Sequence, residues 1–184
     1  EIKNPLGGIK GAAQLLESEL SNSQKEYTNI IIEEVDRLRN YIDKMLGPKS
    51  EPIFESINVH SIINRVINIL GTEKNKKSIF LKNFDPSIPN VNIDKDMIIQ
   101  SLLNIVKNAQ EASTGNGIIE LKTRIDRNYT INSNKYNLVA VVSIIDNGIG
   151  ISDEIRNKLF LPLVTDKLEG SGLGLSISQR LVSE

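Results

Sequence analysis

The sequence has no cysteine and a single histidine among its 184 residues. The first absence excludes disulfides, thiolate metal centres and cysteine nucleophiles, and it is compatible with the cytoplasm, the expected location. One histidine is too few for a His-rich zinc site. Neither sign of charge is in excess: 22 basic residues face 23 acidic ones, a formal net charge of −1. That balance supplies no electrostatic basis for binding nucleic acid or an anionic membrane. No apolar run approaches the roughly 20 residues that cross a bilayer, and no signal peptide is visible, so this segment is expected to make no membrane contact. What is present is ordinary for a soluble globular protein, with 39% apolar and 24% charged residues. The length accommodates one domain with a real core plus a smaller element.

Ile2, Leu6, Ile9, Ala13, Leu16 and Leu20 recur at alternating spacings of four and three, the narrow seam of a coiled coil or helical bundle. The stretch SNSQ at 21–24 reads as a turn, with Ser23 as N-cap of a second helix. There Tyr27, Ile31, Val35, Leu38, Ile42 and Met45 repeat the spacing until Gly47-Pro48 stops it. Two such helices make an antiparallel hairpin with little of its own to bury the stripe against, so a homodimeric four-helix bundle is expected. Residues 1–47 form this hairpin, 48–57 read as a linker with two prolines, and 58–184 change to an α+β pattern. The expected elements there are a helix at 59–71, a strand at 78–83 and a helix at 94–113 capped by Asp94. Strands at 117–125 and 138–146 follow, separated by a polar loop at 127–137. A short helix at 152–159 capped by Ser152 and a last helix at 173–183 complete the set.

Three clusters carry chemistry. In SLLNIVKNAQEAS (101–113), Asn104 and Asn108 lie one helical turn apart on an otherwise apolar helix, and amides there need polar partners. In IIDNGIGI (144–151), a hydrophobic strand ends at Asp146, and Gly148 and Gly150 permit turns and close ligand approach. A simple turn would use the same residues. In EGSGLGLSIS (169–178), Gly170, Gly172 and Gly174 run into a helix N-terminus, which favours phosphate. It is neither a dinucleotide fingerprint, since Leu175 occupies the last glycine position, nor a Walker A loop, since no Gly-Lys pair occurs.

In order and spacing, the Asn helix, DNGIGI, LFLPLVTDK and GSGLGLSI resemble the N box, the two glycine boxes and the F box of sensor histidine kinases. EIKNPLGGIKGAAQLL is similar to the region just after their phosphoacceptor histidine, and most of all to nitrogen-regulation (NtrB-type) kinases. The resemblance implies an α/β-sandwich ATP-binding domain of the gyrase and chaperone superfamily behind a dimeric hairpin. It implies ATP and Mg2+ as cofactors, an NtrC-like response regulator as partner, and a PII-type signal protein as a further one. It places Asp146 at the adenine amino group, with Gly148, Gly150 and Ile151 in the pocket wall. Asn108 would hold Mg2+, with Asn104 and Lys107 beside it. Thr165 and Lys167 belong to the lid, and Gly170, Ser171, Gly172, Leu173, Gly174 and Leu175 wrap the phosphates. Glu1 would stand next to the acceptor histidine, itself expected immediately before position 1, and Asn4 one turn on would serve dephosphorylation of the regulator. On this reading the chain is a fragment of a longer kinase, shortened at both ends and left with an open sheet edge.

Two departures bear on mechanism. Hydrolysing relatives carry Glu where Asn104 stands, and an amide cannot act as a base, which favours transfer to a protein. Glu111 occupies a position where many such kinases place a cation. The sole histidine, His60, lies on the helix after the linker without an adjacent acid or Pro, and reads as structural rather than as acceptor. Two alternatives stay open: a gyrase- or mismatch-repair-like ATPase, and a non-catalytic dimerisation and regulator-docking scaffold. Pro5, Gly7 and Gly8 are expected to bend the first helix beside the acceptor.

Overall fold

The computed structural model describes residues 2–46, 51–71, 78–113, 117–131, 133–165 and 171–183. The chain forms two compact units, Glu1–Lys49 and Ser50–Glu184.

The first unit is a hairpin of α1 (Lys3–Glu19) and α2 (Asn22–Leu46). The helices run antiparallel: Lys3 pairs with Asp43, and Lys10 Nζ sits 2.8 and 2.7 Å from the two oxygens of Asp36. α1 continues unbroken through Pro5, Gly7 and Gly8. Pro5 is its third residue, where a helical N–H has no carbonyl to bond, so the missing donor is tolerated. The turn is closed by Ser21 rather than Ser23, which lies inside α2. Gln24 Oε1 accepts from the Ser21 N–H at 3.3 Å and from its hydroxyl at 2.8 Å, half of a capping box. Of the expected seam Ala13 and Val35 are buried, whereas Ile2, Ile9, Leu16, Tyr27, Ile31 and Leu38 remain 44–69% exposed. One hairpin leaves most of its stripe in water.

The second unit contains β1 (Phe54–Ile57), α3 (Val59–Gly71), β2 (Ile79–Asn83), β3 (Val91–Asp94), α4 (Lys95–Ala112), β4 (Ile118–Ile131), β5 (Asn134–Asp146), α5 (Asp153–Arg156) and α6 (Gly174–Ser183). β1 pairs antiparallel with β3, so the reading of 48–57 as linker is corrected: its last four residues are a strand. β2, β4 and β5 form a mixed sheet in that order, β2 parallel to β4 and β4 antiparallel to β5. In the segment 127–137, expected to be loop, residues 127–131 and 134–137 instead extend both strands of the β4–β5 hairpin, with Tyr129 opposite Tyr136. β5 is a sheet edge among the described residues. α5 is one turn long, and the Ser152 side chain makes no cap.

The core follows from two periodicities. α3 buries Val59, Ile62, Ile63, Val66, Ile67 and Leu70, one face of a 3.6-residue helix. β4 buries Ile119, Leu121 and Thr123, alternate residues of one sheet face. The α3 residues, Ile119 and Leu121 join Leu102, Val106 and Ala109 of α4 in one cluster. Asp94 caps α4 as expected, accepting from the N–H groups of Asp96 (3.0 Å) and Met97 (2.9 Å). His60 is structural: its ring stacks on Phe84 at 4.7 Å, and Nε2 lies 3.0 Å from the buried Thr123 hydroxyl. The architecture is the expected one, a helical hairpin followed by an α/β sandwich.

Candidate nucleotide site

α4 brings the three sequence clusters together. Its residues Met97, Ser101, Asn104 and Asn108 fall on one side, and that side meets α6. The Ser178 hydroxyl donates to the Ser101 carbonyl at 3.3 Å, and the Asn104 amide donates to the Gly174 carbonyl at 3.3 Å. A Cβ placed on Gly174 would lie 3.9 Å from Asn108 Nδ2. The N-terminus of a ten-residue helix thus abuts both amides.

The Asp-Asn-Gly-Ile-Gly loop packs against the other end of α4. Ile149 N–H donates to the Ala112 carbonyl at 3.1 Å. Gly148 N–H donates to Asp146 Oδ1 at 2.9 Å, and Asn147 Oδ1 accepts the Ile118 N–H at 2.9 Å. The two glycines have different roles. A Cβ on Gly148 would come within 2.8 Å of the Ala112 backbone, so space demands glycine there. Gly150 has room around it but sits at φ +76°, so backbone conformation demands glycine instead. Asp146 is exposed at the loop's mouth.

A third segment closes the site. Leu163 N–H donates to the Gly172 carbonyl at 3.0 Å, and both residues are left-handed, at φ +66° and +63°. A Cβ on Gly172 would lie 2.5 Å from the Leu163 carbonyl carbon.

Residues 93–184 match the model of the histidine kinase-, DNA gyrase B- and HSP90-like ATPases. The chain belongs to that family. Residues 1–48 match the His kinase A phospho-acceptor model, which places the chain among the histidine kinases of that family. It is 43% identical to the sensory histidine kinase/phosphatase NtrB of Vibrio alginolyticus, over all of this chain and 53% of the relative. Identity to the NtrB of Klebsiella oxytoca is 41% over the same shares. The chain therefore spans about half the length of these relatives. Among solved structures, histidine kinase ThkA in complex with the response regulator TrrA aligns with a TM-score of 0.59 at 28% identity, over 98% of this chain and 51% of that one. The likeness to the NtrB sequences runs through both matched segments.

Against that family's boxes, Asn104 and Asn108 meet Gly174, Gly172 meets Leu163, and Gly148 sits against Ala112, one turn beyond Asn108, with Asp146 beside it. Ile151 follows the loop in an exposed position, and Ser171 Oγ accepts the Leu173 N–H at 3.4 Å. Leu175 is half-buried in the first turn of α6. Lys107 is exposed, turned about 100° from Asn108 around α4. Thr165 is exposed at the end of a described segment. Asn4 lies on the exposed side of α1 in the other unit. Glu1, Lys167 and Gly170 lie outside the described residues. Three contributors went unassigned from sequence: Ala112 and Asn147, which seat the glycine loop, and Leu163. Asn147 carried a signal, an Asn-Gly turn pair, whereas Ala112 looked like any helical alanine.

The chemistry of the donor set suits Mg2+ and nucleotide. The Asn108 amide has no hydrogen bond among the described residues, and a hard divalent cation takes such amide oxygens. The adjoining helix N-terminus favours an anion. No group of three or more His, Cys, Asp or Glu side chains placed to hold a metal occurs among the described residues.

Proposed function

We propose that this chain is the catalytic core of a two-component sensor histidine kinase of the nitrogen-regulation type. It moves the γ-phosphoryl group of ATP to a histidine directly ahead of Glu1, and from there to an aspartate of an NtrC-like response regulator. The observation that carries this reading is the meeting, along one helix, of two amides, an exposed carboxylate on a glycine loop and a helix N-terminus.

Asp146 accepts the adenine amino group, and Gly148, Gly150 and Ile151 give the base its slot. Gly170 to Leu175 present the start of α6 to the phosphates, where the helix dipole offsets their charge. Lys107 and Lys167 add positive charge, and Thr165 belongs to the lid. Asn108 holds Mg2+, which when bound neutralises phosphate charge and orients the transferring group. Asn104 offers no base to activate water, so the site positions phosphate for a protein acceptor rather than for hydrolysis. Glu1 orients the acceptor's proton, and Asn4 positions water when the regulator is dephosphorylated.

The exposed heptad stripe supports a homodimer, in which two hairpins bury it as a four-helix bundle. A PII-type signal protein is the further partner that the NtrB likeness suggests. No helix of the described residues is long and apolar enough to cross a membrane, and we place the reaction in the cytoplasm, where ATP is available.

The test supplies a histidine immediately before Glu1 and incubates the chain with labelled Mg-ATP. Acid-labile label on the protein, lost on Asp146→Asn, is the expected result. No label on a chain that binds ATP would overturn the kinase reading, absence of Mg-ATP binding would favour a docking scaffold, and steady turnover without label would favour an ATPase.

A further inference from the structure

We infer that Leu163 is a positioning residue whose backbone pins the phosphate-binding turn against α4; this rests on the nucleotide reading above. Leu163 occupies the left-handed region at φ +66°, which a leucine adopts only at a cost and which marks a site where surroundings over-determine the backbone. Its side chain does not supply the compensation, being 61% exposed. Two backbone features do. Pro162 precedes it, and proline before a residue of positive φ is the sequence of a type II turn, whose next position ordinarily takes glycine or asparagine. Its N–H then donates to the Gly172 carbonyl at 3.0 Å.

That bond has consequences on the other side. Gly172 is itself left-handed, and its α-carbon presses so closely on the peptide between Leu163 and Val164 that a Cβ would stand 2.5 to 2.8 Å from it. Two residues later Gly174 is held by the Asn104 amide. Backbone contacts thus run from Leu163 through Gly172 to Gly174 and α4. The F-box segment fixes where α6 begins, and hence where its N-terminus meets phosphate. The adenine end, at Asp146 and Gly148, is seated separately on Ala112 and does not depend on Leu163.

The experiment measures Mg-ATP affinity by calorimetry and adenosine affinity by NMR titration for the full chain and three variants. Leu163→Pro removes the donor and forbids positive φ; it is expected to weaken Mg-ATP by about tenfold or more while leaving adenosine unchanged. Leu163→Gly keeps the N–H and favours the left-handed region, and is expected to bind Mg-ATP within about twofold of the parent. Leu163→Val keeps the N–H but resists positive φ and should fall between them, which serves if the proline variant does not fold. Equal loss of both ligands would mean general disruption and would overturn the proposal, as would unchanged Mg-ATP binding by the proline and valine variants. A parent chain that binds no Mg-ATP sinks the nucleotide reading first, and the two failures are therefore distinct.

Discussion

The side-chain amide of Asn104 donates to the carbonyl of Gly174 at 3.3 Å, joining α4 to the first residue of α6. The same carbonyl lies 2.9 Å from the Ser178 hydroxyl within α6, which shares its one proton between this carbonyl and that of Ser101. Asn104 therefore ties down the helix start on which the phosphate reading depends. Asn104→Ala is expected to lower stability by about 1 kcal/mol, the usual net worth of one such bond, and to weaken Mg-ATP. Urea unfolding with and without Mg-ATP checks both. A variant that keeps full affinity would show that Asn104 has no part in placing α6.

Gly148 has no room to change. A Cβ would lie 2.7 Å from Asp146 Oδ1 and 2.8 Å from both the carbonyl carbon and Cβ of Ala112. Backbone on one side and the proposed adenine acceptor on the other must shift to admit it. Gly148→Ala should cost about 1–3 kcal/mol, the range for overpacking, and weaken adenosine as well as Mg-ATP. Gly150→Ala differs in kind, since no atom of the described residues blocks its Cβ and positive φ is what resists it. It should cost about 1 kcal/mol from backbone strain alone. Thermal melts of the two variants separate crowding from conformation.

Elements with strong local signals were legible in the sequence. The two heptad helices, α3 with its continuous apolar face, and α4 with its Asp94 cap all follow from periodicity and capping chemistry within each segment. β1 and β3 did not show, because four-residue strands beside Pro52 and Pro89–Asn90 are stabilised by pairing with each other across the 33 residues between them rather than by composition. The polar segment 127–137 misled for the same reason: register with the opposite strand, as in Thr130 facing Lys135, overrode its turn-like residues. At the site, clusters were visible but their division of labour was not. DNGIG does not say which glycine needs space and which needs positive φ. Nothing in LPLV beyond its proline marks Leu163 as left-handed.

Asp94 makes stability depend on pH. Its carboxyl is held below the ordinary value of 3.8, first by the Met97 N–H and then by the Ile53 N–H, with burial opposing. One oxygen caps α4 while the other accepts from Ile53 at 2.8 Å, tying the approach to β1 onto the helix. A depressed folded value means that the stabilisation is present above the unfolded value and lost as pH falls through the folded one. Asp94→Asn keeps one acceptor oxygen but cannot serve Ile53 as well, and should cost about 1 kcal/mol at neutral pH. That difference should shrink as pH drops from about 5 towards 2. Parallel urea titrations across this range test it, and a constant difference would show that the charge is irrelevant.

Gln110 is 4% exposed, and neither its amide oxygen nor its nitrogen has a hydrogen-bond partner among the described residues. It sits on α4 one residue after the core alanine Ala109 and two after Asn108, but on a different side of the helix from the amides that meet α6. A buried amide without partners is a net loss of about 1–3 kcal/mol relative to an apolar side chain of its size. Methionine has similar length and volume and flexible packing. Gln110→Met is accordingly expected to stabilise the chain by about 1 kcal/mol, a rise of roughly 2–4 °C in melting temperature at this length. Mg-ATP affinity should not change, because the substitution leaves Asn104 and Asn108 in place. A fall in melting temperature would instead mean that the Gln110 amide is satisfied in solution, by water or by a neighbouring segment, and contributes to holding the end of α4.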